Sequence, residues 1–160
     1  ERADFIIIDT MAGIGRNAVS FATAADEVIL VTTPEPSAIV DAYAMLKTVH
    51  SSRKEAAVRL LVNMAANQAQ AKAVATKLAG VSQQYLGRNL PLLGFLPRDP
   101  HVSQAVMQSR PFTQLYPNAP VSKYMQVIAS RLADQQGGLE PQREGFLKRF
   151  ASSLGIASNG

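Results

Sequence analysis

The sequence contains no cysteine and no tryptophan. Without cysteine it can form neither a disulfide nor a thiolate zinc site. Charged residues are scarce at 18% and aromatic residues at 6%, whereas 47% of the 160 residues are apolar. That balance excludes a disordered chain, a collagenous or coiled-coil rod and a disulfide scaffold, and it requires one packed core of ordinary domain size. No apolar run approaches the roughly 20 residues that span a bilayer as a helix. Two of the candidate runs, Phe5 to Ile8 and Val28 to Val31, have the length of buried strands. Cations exceed anions only by 16 to 12, a net charge of +4, and form no stripe interleaved with aromatics. Direct nucleic-acid binding is therefore not expected. No basic leader precedes an apolar secretion segment, so the expected compartment is the cytoplasm.

Strand-like and helix-like segments alternate. Phe5 to Ile8 ends in Asp9 and Thr10, Val28 to Val31 in Thr32 to Pro34, Val58 to Val62 in Asn63, and Leu92 to Leu96 in Pro97. Continuous apolar runs of this length suit parallel strands buried on both faces. Helical patterns over about Ala38 to Ser51, Gln68 to Leu86, Val102 to Ser109 and Lys123 to Gln135 separate or follow them. The alternation predicts an α/β fold, a mostly parallel sheet flanked by helices in three layers. Ligands of such sheets sit at the carboxyl ends of the strands, which here hold Asp9, Pro34, Asn63 and Pro97. The chain opens at Glu1 and enters its first strand-like run with no element before it, which predicts the later part of a longer protein with earlier strands missing from the sheet. Such a piece, with apolar edges uncovered, is expected to aggregate or to depend on its missing half.

Beyond the last long helix, Gly137, Gly138, Glu140 and Pro141 read as a linker. A final helical segment follows over about Arg143 to Leu154. At about 100° per residue, Phe146, Leu147, Phe150, Ala151 and Leu154 fall within an arc of about 140°, and Lys148, Arg149, Ser152 and Ser153 fill the rest. This two-faced basic helix suits either a membrane surface or a protein surface. The expected division is a nucleotide-binding part at 1–136, a linker at 137–143 and an amphipathic helix at 144–156. His50 and His101 lack metal-ligand spacing and read as surface residues.

Chemistry concentrates at Asp9-Thr10-Met11-Ala12-Gly13-Ile14-Gly15. A carboxylate at a strand end can hold a magnesium-bound water, and the glycines let backbone N–H groups approach a terminal phosphate. A strand end followed by a glycine turn and a helix cap would read the same way.

The run from Phe5 to Gly15 resembles the second nucleotide-switch region of the MinD and ParA-type P-loop ATPases. Ala25 to Ser37, with the string Thr-Thr-Pro-Glu-Pro-Ser, followed by Asp41-Ala42-Tyr43, resembles the flagellar-number branch of that family, FlhG, also called FleN or YlxH. Asn63 and Gly94-Phe95-Leu96-Pro97-Arg98-Asp99 extend the likeness over nearly the whole chain. The resemblance implies ATP and magnesium as cofactors. Asp9 would be catalytic and act on magnesium through water, and Thr10 and Gly13 would contact the nucleotide, Gly13 at the γ-phosphate. Asn63, Pro97 and Arg98 would border the adenine, with Asp99 capping the next helix. Glu35 and Asp41 would lie near an ATP-dependent homodimer interface.

Gly145 to Phe150 resembles the membrane-targeting helix of MinD, which implies that Phe146, Leu147, Lys148, Arg149, Phe150 and Leu154 meet an anionic membrane at the inner face of the cell membrane. Each buried apolar side chain there contributes at most about 1.5–3 kcal/mol, so one tail binds weakly and a dimer presenting two binds better. Implied partners are an FlhF-like GTPase, flagellar switch proteins or a FleQ-like transcription activator. The large departure is the P-loop: the sequence holds no Gly-Lys pair, the element that grips the β and γ phosphates. This chain alone is therefore not expected to hydrolyse ATP. A nucleotide-independent adaptor, or a partitioning or division-site ATPase, are the other readings.

Overall fold

The computed structural model describes residues 3–10, 13–136 and 149–152. The described elements run α1 (Arg16–Ala24), β1 (Glu27–Thr32), α2 (Pro36–Ser52), β2 (Ala57–Ala65), α3 (Gln68–Leu86), β3 (Leu92–Pro97), α4 (Pro100–Met107), α5 (Phe112–Leu115) and α6 (Pro120–Gln136). β1, β2 and β3 pair in that order, both ladders parallel. Parallel neighbours need crossovers, and α2 and α3 provide them. The expected α/β architecture is therefore present as a partial sheet with helices on both faces.

Two clusters form the core, one on each side of the sheet. On one face Leu30, Val58, Leu60 and Val62 pack with Leu46 and Val49 of α2 and with Ala71, Val74 and Leu78 of α3. On the other, Leu61, Leu93 and Leu96 pack with Val121 and Ile128 of α6. The alternation of Leu60, Leu61 and Val62 between the two faces follows the two-residue period of a strand. α3 is held at both ends: the Asn67 side chain accepts from Gln70 N–H at its start, and Gly87 closes its end at φ +62°, a backbone conformation that glycine adopts without a Cβ clash.

Arg59 interrupts the apolar run of β2, and its partner lies across the ladder. Its guanidinium forms a two-pronged ion pair with Glu27 at the start of β1, a planar fork that matches a carboxylate. Burial lowers the guanidinium's pKa from its ordinary value. Arg53 similarly ties the end of α2 to the end of α1, donating to the carbonyls of Thr23 at 3.2 Å and Ala25 at 2.6 Å.

The first expected strand is not formed. Phe5 to Ile8 is irregular, with Phe5, Ile6 and Ile7 exposed by 48, 74 and 91%. An apolar strand needs a hydrogen-bonding neighbour and helices over its faces, and no strand among the described residues lies beside it. α1 and α5 were not anticipated as helices. The linker and most of the final segment lie outside the described residues; Arg149 to Ser152 are helical.

Candidate nucleotide site

The candidate residues from β1 onward lie at or just beyond the carboxyl ends of the three strands. At the end of β1, Thr33 Oγ1 accepts from Glu35 N–H at 3.4 Å, and Pro36 opens α2 as one of its first two residues, where its missing N–H costs nothing. Glu35 and Asp41 are both exposed, so the turn presents two carboxylates to solvent.

Near its end β2 carries a strained irregularity, a register shift between Val62 and Ala65. Asn63 Oδ1 accepts from Met64 N–H at 2.8 Å, and Met64 takes φ +57°, a region that bulky side chains seldom enter. Its own backbone occupies the carbonyl of Asn63's amide, leaving the NH2 group as the donor. Gln70 Oε1 accepts from Ala66 N–H at 2.7 Å while Asn67 Oδ1 accepts from Gln70 N–H at 2.9 Å, a reciprocal closure of the helix start.

The loop after β3 is fastened to this turn by Arg98 N–H donating to Ala65 O at 3.0 Å. Asn63, half-buried near the end of β2, and Pro97-Arg98 at the end of β3 are thus on neighbouring strand ends, with the Arg98 side chain exposed. Asp99 caps α4 as expected, accepting from His101 N–H at 3.0 Å. It also accepts from Val121 N–H at 3.3 Å and pairs with His101 Nδ1 at 2.6 Å, so one carboxylate holds the starts of α4 and α6 together. Burial pushes its pKa up, but these hydrogen bonds and the neighbouring imidazole outweigh it and leave the carboxyl below its usual range. The junction with α6 lies 22 residues away in sequence, beyond any local motif.

The remaining expected residues precede α1. Asp9 and Thr10 are exposed, and Gly13 takes φ +97° with open space where a Cβ would stand. Asp9, Thr10 and Gly13 make no hydrogen bond or ion pair among the described residues. Asn63 thus keeps an amide donor near the end of β2, the neighbouring end of β3 carries Pro97, and Gly13 has an unobstructed backbone. The phosphate grip of a Gly-Lys pair is not in the sequence.

One further residue departs from expectation. His50 is buried, 9% exposed, with neither ring nitrogen hydrogen-bonded. It lies on the inward face of α2, since it follows Leu46 and Val49 at helical spacing. Desolvation and then the Arg88 guanidinium lower its pKa below 6.5, partly offset by the backbone of Lys54. In the tail, Arg149 Nε donates to Ala24 O at 2.8 Å, its guanidinium pairs with Asp26, and Phe150 stacks on Phe21 with ring centroids 4.7 Å apart. Phe146, Leu147, Lys148 and Leu154 lie outside the described residues.

The family model of ParA, described as the NUBPL iron-transfer P-loop NTPase, matches residues 1–133. The chain belongs to the ParA/MinD family of P-loop NTPases. Within this family it is 33% identical to the antiactivator FleN of Pseudomonas aeruginosa over 146 residues, 88% of this chain and 52% of FleN. It is 34% identical over 158 residues to the flagellum site-determining protein YlxH of Helicobacter pylori, covering 95% of this chain and 53% of YlxH. The chain therefore spans about half the length of these relatives.

Its fold is that of MinD. The cell division ATPase MinD of Pyrococcus furiosus superposes with a TM-score of 0.66 at 22% identity, over 82% of this chain and 52% of that one. MinD of Pyrococcus horikoshii, solved with Mg-ADP, superposes with a TM-score of 0.55 at 19% identity, over 71% and 43%.

Proposed function

We propose that this chain is the nucleotide-sensing and output part of a MinD-like ATPase that sets the number and placement of flagella. The observation that carries the reading is the match to FleN and YlxH through most of the chain, together with the Thr-Thr-Pro-Glu-Pro segment placed at the carboxyl end of β1. Asn63, Pro97 and Arg98 would hold the base, Gly13 the terminal phosphate, and Asp9 a magnesium ion through water, with Thr10 beside it. Bound Mg-ATP supplies a γ-phosphate whose presence or loss switches the protein between two states. Glu35 and Asp41, exposed at the start of α2, would report that state to a second subunit in an ATP-dependent homodimer.

Membrane association would be the output. Arg149 and Phe150 are occupied by α1, so the tail must leave α1 before it can enter an anionic surface. FlhF-like GTPases, flagellar switch proteins and FleQ-like activators are the proposed partners.

The test is to express the complete reading frame and measure dimerisation by light scattering with and without ATP, for the natural sequence and for Asn63→Ala and Asp9→Ala. The reading expects an ATP-dependent dimer, weakened nucleotide affinity in Asn63→Ala, and loss of turnover in Asp9→Ala. Dimerisation independent of ATP in all three would overturn it and leave the adaptor reading.

A further inference from the structure

We propose that the groove along the outer edge of β3, between α3 and α6, is a docking site for an extended acidic segment of a partner protein. The groove has a volume of about 380 Å³, within the range of about 300–1,000 Å³ typical of ligand sites. It shares no residue with the nucleotide site. Lys72 of α3 stands on one side and Lys123 and Arg131 of α6 on the other, with no Asp or Glu in the lining among the described residues. Lys72 and Lys123 form no ion pair among the described residues. Arg131 gives one N–H to the carbonyl of Leu93 at 2.6 Å and keeps the rest of its fork for an anion.

Between the cations the groove is apolar. The Tyr124 ring packs on Phe95 at 4.7 Å between centroids, and Tyr124 and Val127 are 39 and 50% exposed. An aromatic and aliphatic floor ringed by unpaired cations favours a peptide that carries both acidic and apolar side chains over a bare anion.

The geometry also favours an extended occupant. β3 has no strand partner on its outer side among the described residues, and unpaired edges accept added strands. α3 and α6 cover opposite faces of the sheet. Successive side chains of an added strand point to opposite faces, so one set meets Lys72 and the other meets Lys123 and Arg131. Acidic residues in adjacent pairs, spaced by apolar pairs, satisfy both sides.

The probe is a fluorescein-labelled decapeptide of alternating Glu-Glu and Val-Val pairs, titrated with the full chain and followed by anisotropy. A matched peptide carries Gln for every Glu. The acidic peptide is expected to bind at least about tenfold more tightly than its Gln counterpart, and Lys72→Gln with Lys123→Gln to remove most of that difference. Amide exchange is expected to slow at Leu92 to Pro97 on binding. Tyr124→Ala should weaken both peptides, since it removes the apolar floor.

Three outcomes overturn the proposal: equal binding of the two peptides, an equal loss in the surface control Lys47→Gln with Lys54→Gln, or displacement of the peptide by millimolar inorganic phosphate. The second means general charge attraction and the third a small-anion site. None of these readouts depends on nucleotide, so failure here leaves the ATPase reading standing.

Discussion

His50 carries a proton-linked penalty in the last turn of α2. Because its folded-state pKa lies below the ordinary value of 6.5, the unfolded chain takes up a proton first as pH falls. Stability is therefore full above the unfolded pKa and is lost as pH drops through 6.5 toward the folded value. The loss reaches at most about 1.4 kcal/mol one pH unit below the unfolded pKa. His50→Leu is expected to remove this slope and, by replacing two unsatisfied buried nitrogens, to stabilise the fold by about 1 kcal/mol at neutral pH. Urea unfolding of both proteins at two pH values, one on each side of 6.5, measures it. An unchanged pH slope in the variant would place the titration elsewhere. Sequence reading put His50 on the surface because a lone histidine near a helix end gives no local sign of burial; its place on the face shared with Leu46 and Val49 is the signal that was available. Asp99 shows the opposite case. Its cap on α4 is legible from the Asp-Pro-His spacing, whereas its bond to Val121 required the chain to return from a distance.

At the scale of elements, α6 meets β3 tightly at Gly94. A Cβ added to Gly94 would lie 2.9 Å from Cγ1 of Ile128, inside van der Waals contact. Gly94→Ala is expected to destabilise the chain by about 1–3 kcal/mol, the ordinary cost of overpacking. Combined with Ile128→Ala the two effects should not add, because the second removes the atoms that the first strikes. A double-mutant cycle from thermal or urea unfolding checks this, and strict additivity would mean that the helix shifts instead of clashing. The helices and the three paired strands were readable from periodicity and apolar runs, with α3 spanning Gln68 to Leu86 as expected. The short α1 and α5 were not, since nine and four residues leave too few turns for a periodic pattern to stand out. The end of β2 was legible to within two residues of Asn63, but the left-handed backbone of Met64 was not, because no glycine marks it.

Across the whole molecule, apolar surface is left uncovered at one side of the sheet. Ile6 and Ile7 are mostly exposed, and Ile29 and Val31 of β1 are exposed by 39 and 53%. β1 has no strand partner on its outer side among the described residues. Exposed apolar strand edges pair with other chains, so the chain is expected to self-associate as its concentration rises. Ile6→Lys with Ile7→Lys should shift it toward monomer in sedimentation velocity with little change in melting temperature, because neither side chain is in the core. A monomer at all concentrations would refute the role of this run. The tail gives a second prediction at this scale. Asp26→Ala removes the partner of Arg149, and should raise the fraction of protein that floats with vesicles containing anionic lipid; no increase would mean that the tail's contact with α1 does not compete with membrane binding.

Sequence alone determined the alternation of buried strands and helices, the parallel sheet it imposes, and the family, because apolar runs of strand length and their terminal motifs are written within a few consecutive residues. It also settled that the chain has no Gly-Lys pair for gripping phosphates. Tertiary structure decided the rest: that Phe5 to Ile8 pairs with no described strand, that His50 turns inward, that Arg149 and Phe150 rest on α1, and that Lys72 meets Lys123 and Arg131 across one groove. Each of these depends on which surfaces lie beside one another after the chain has crossed the sheet, and pair contacts between residues tens of positions apart leave no trace in local spacing.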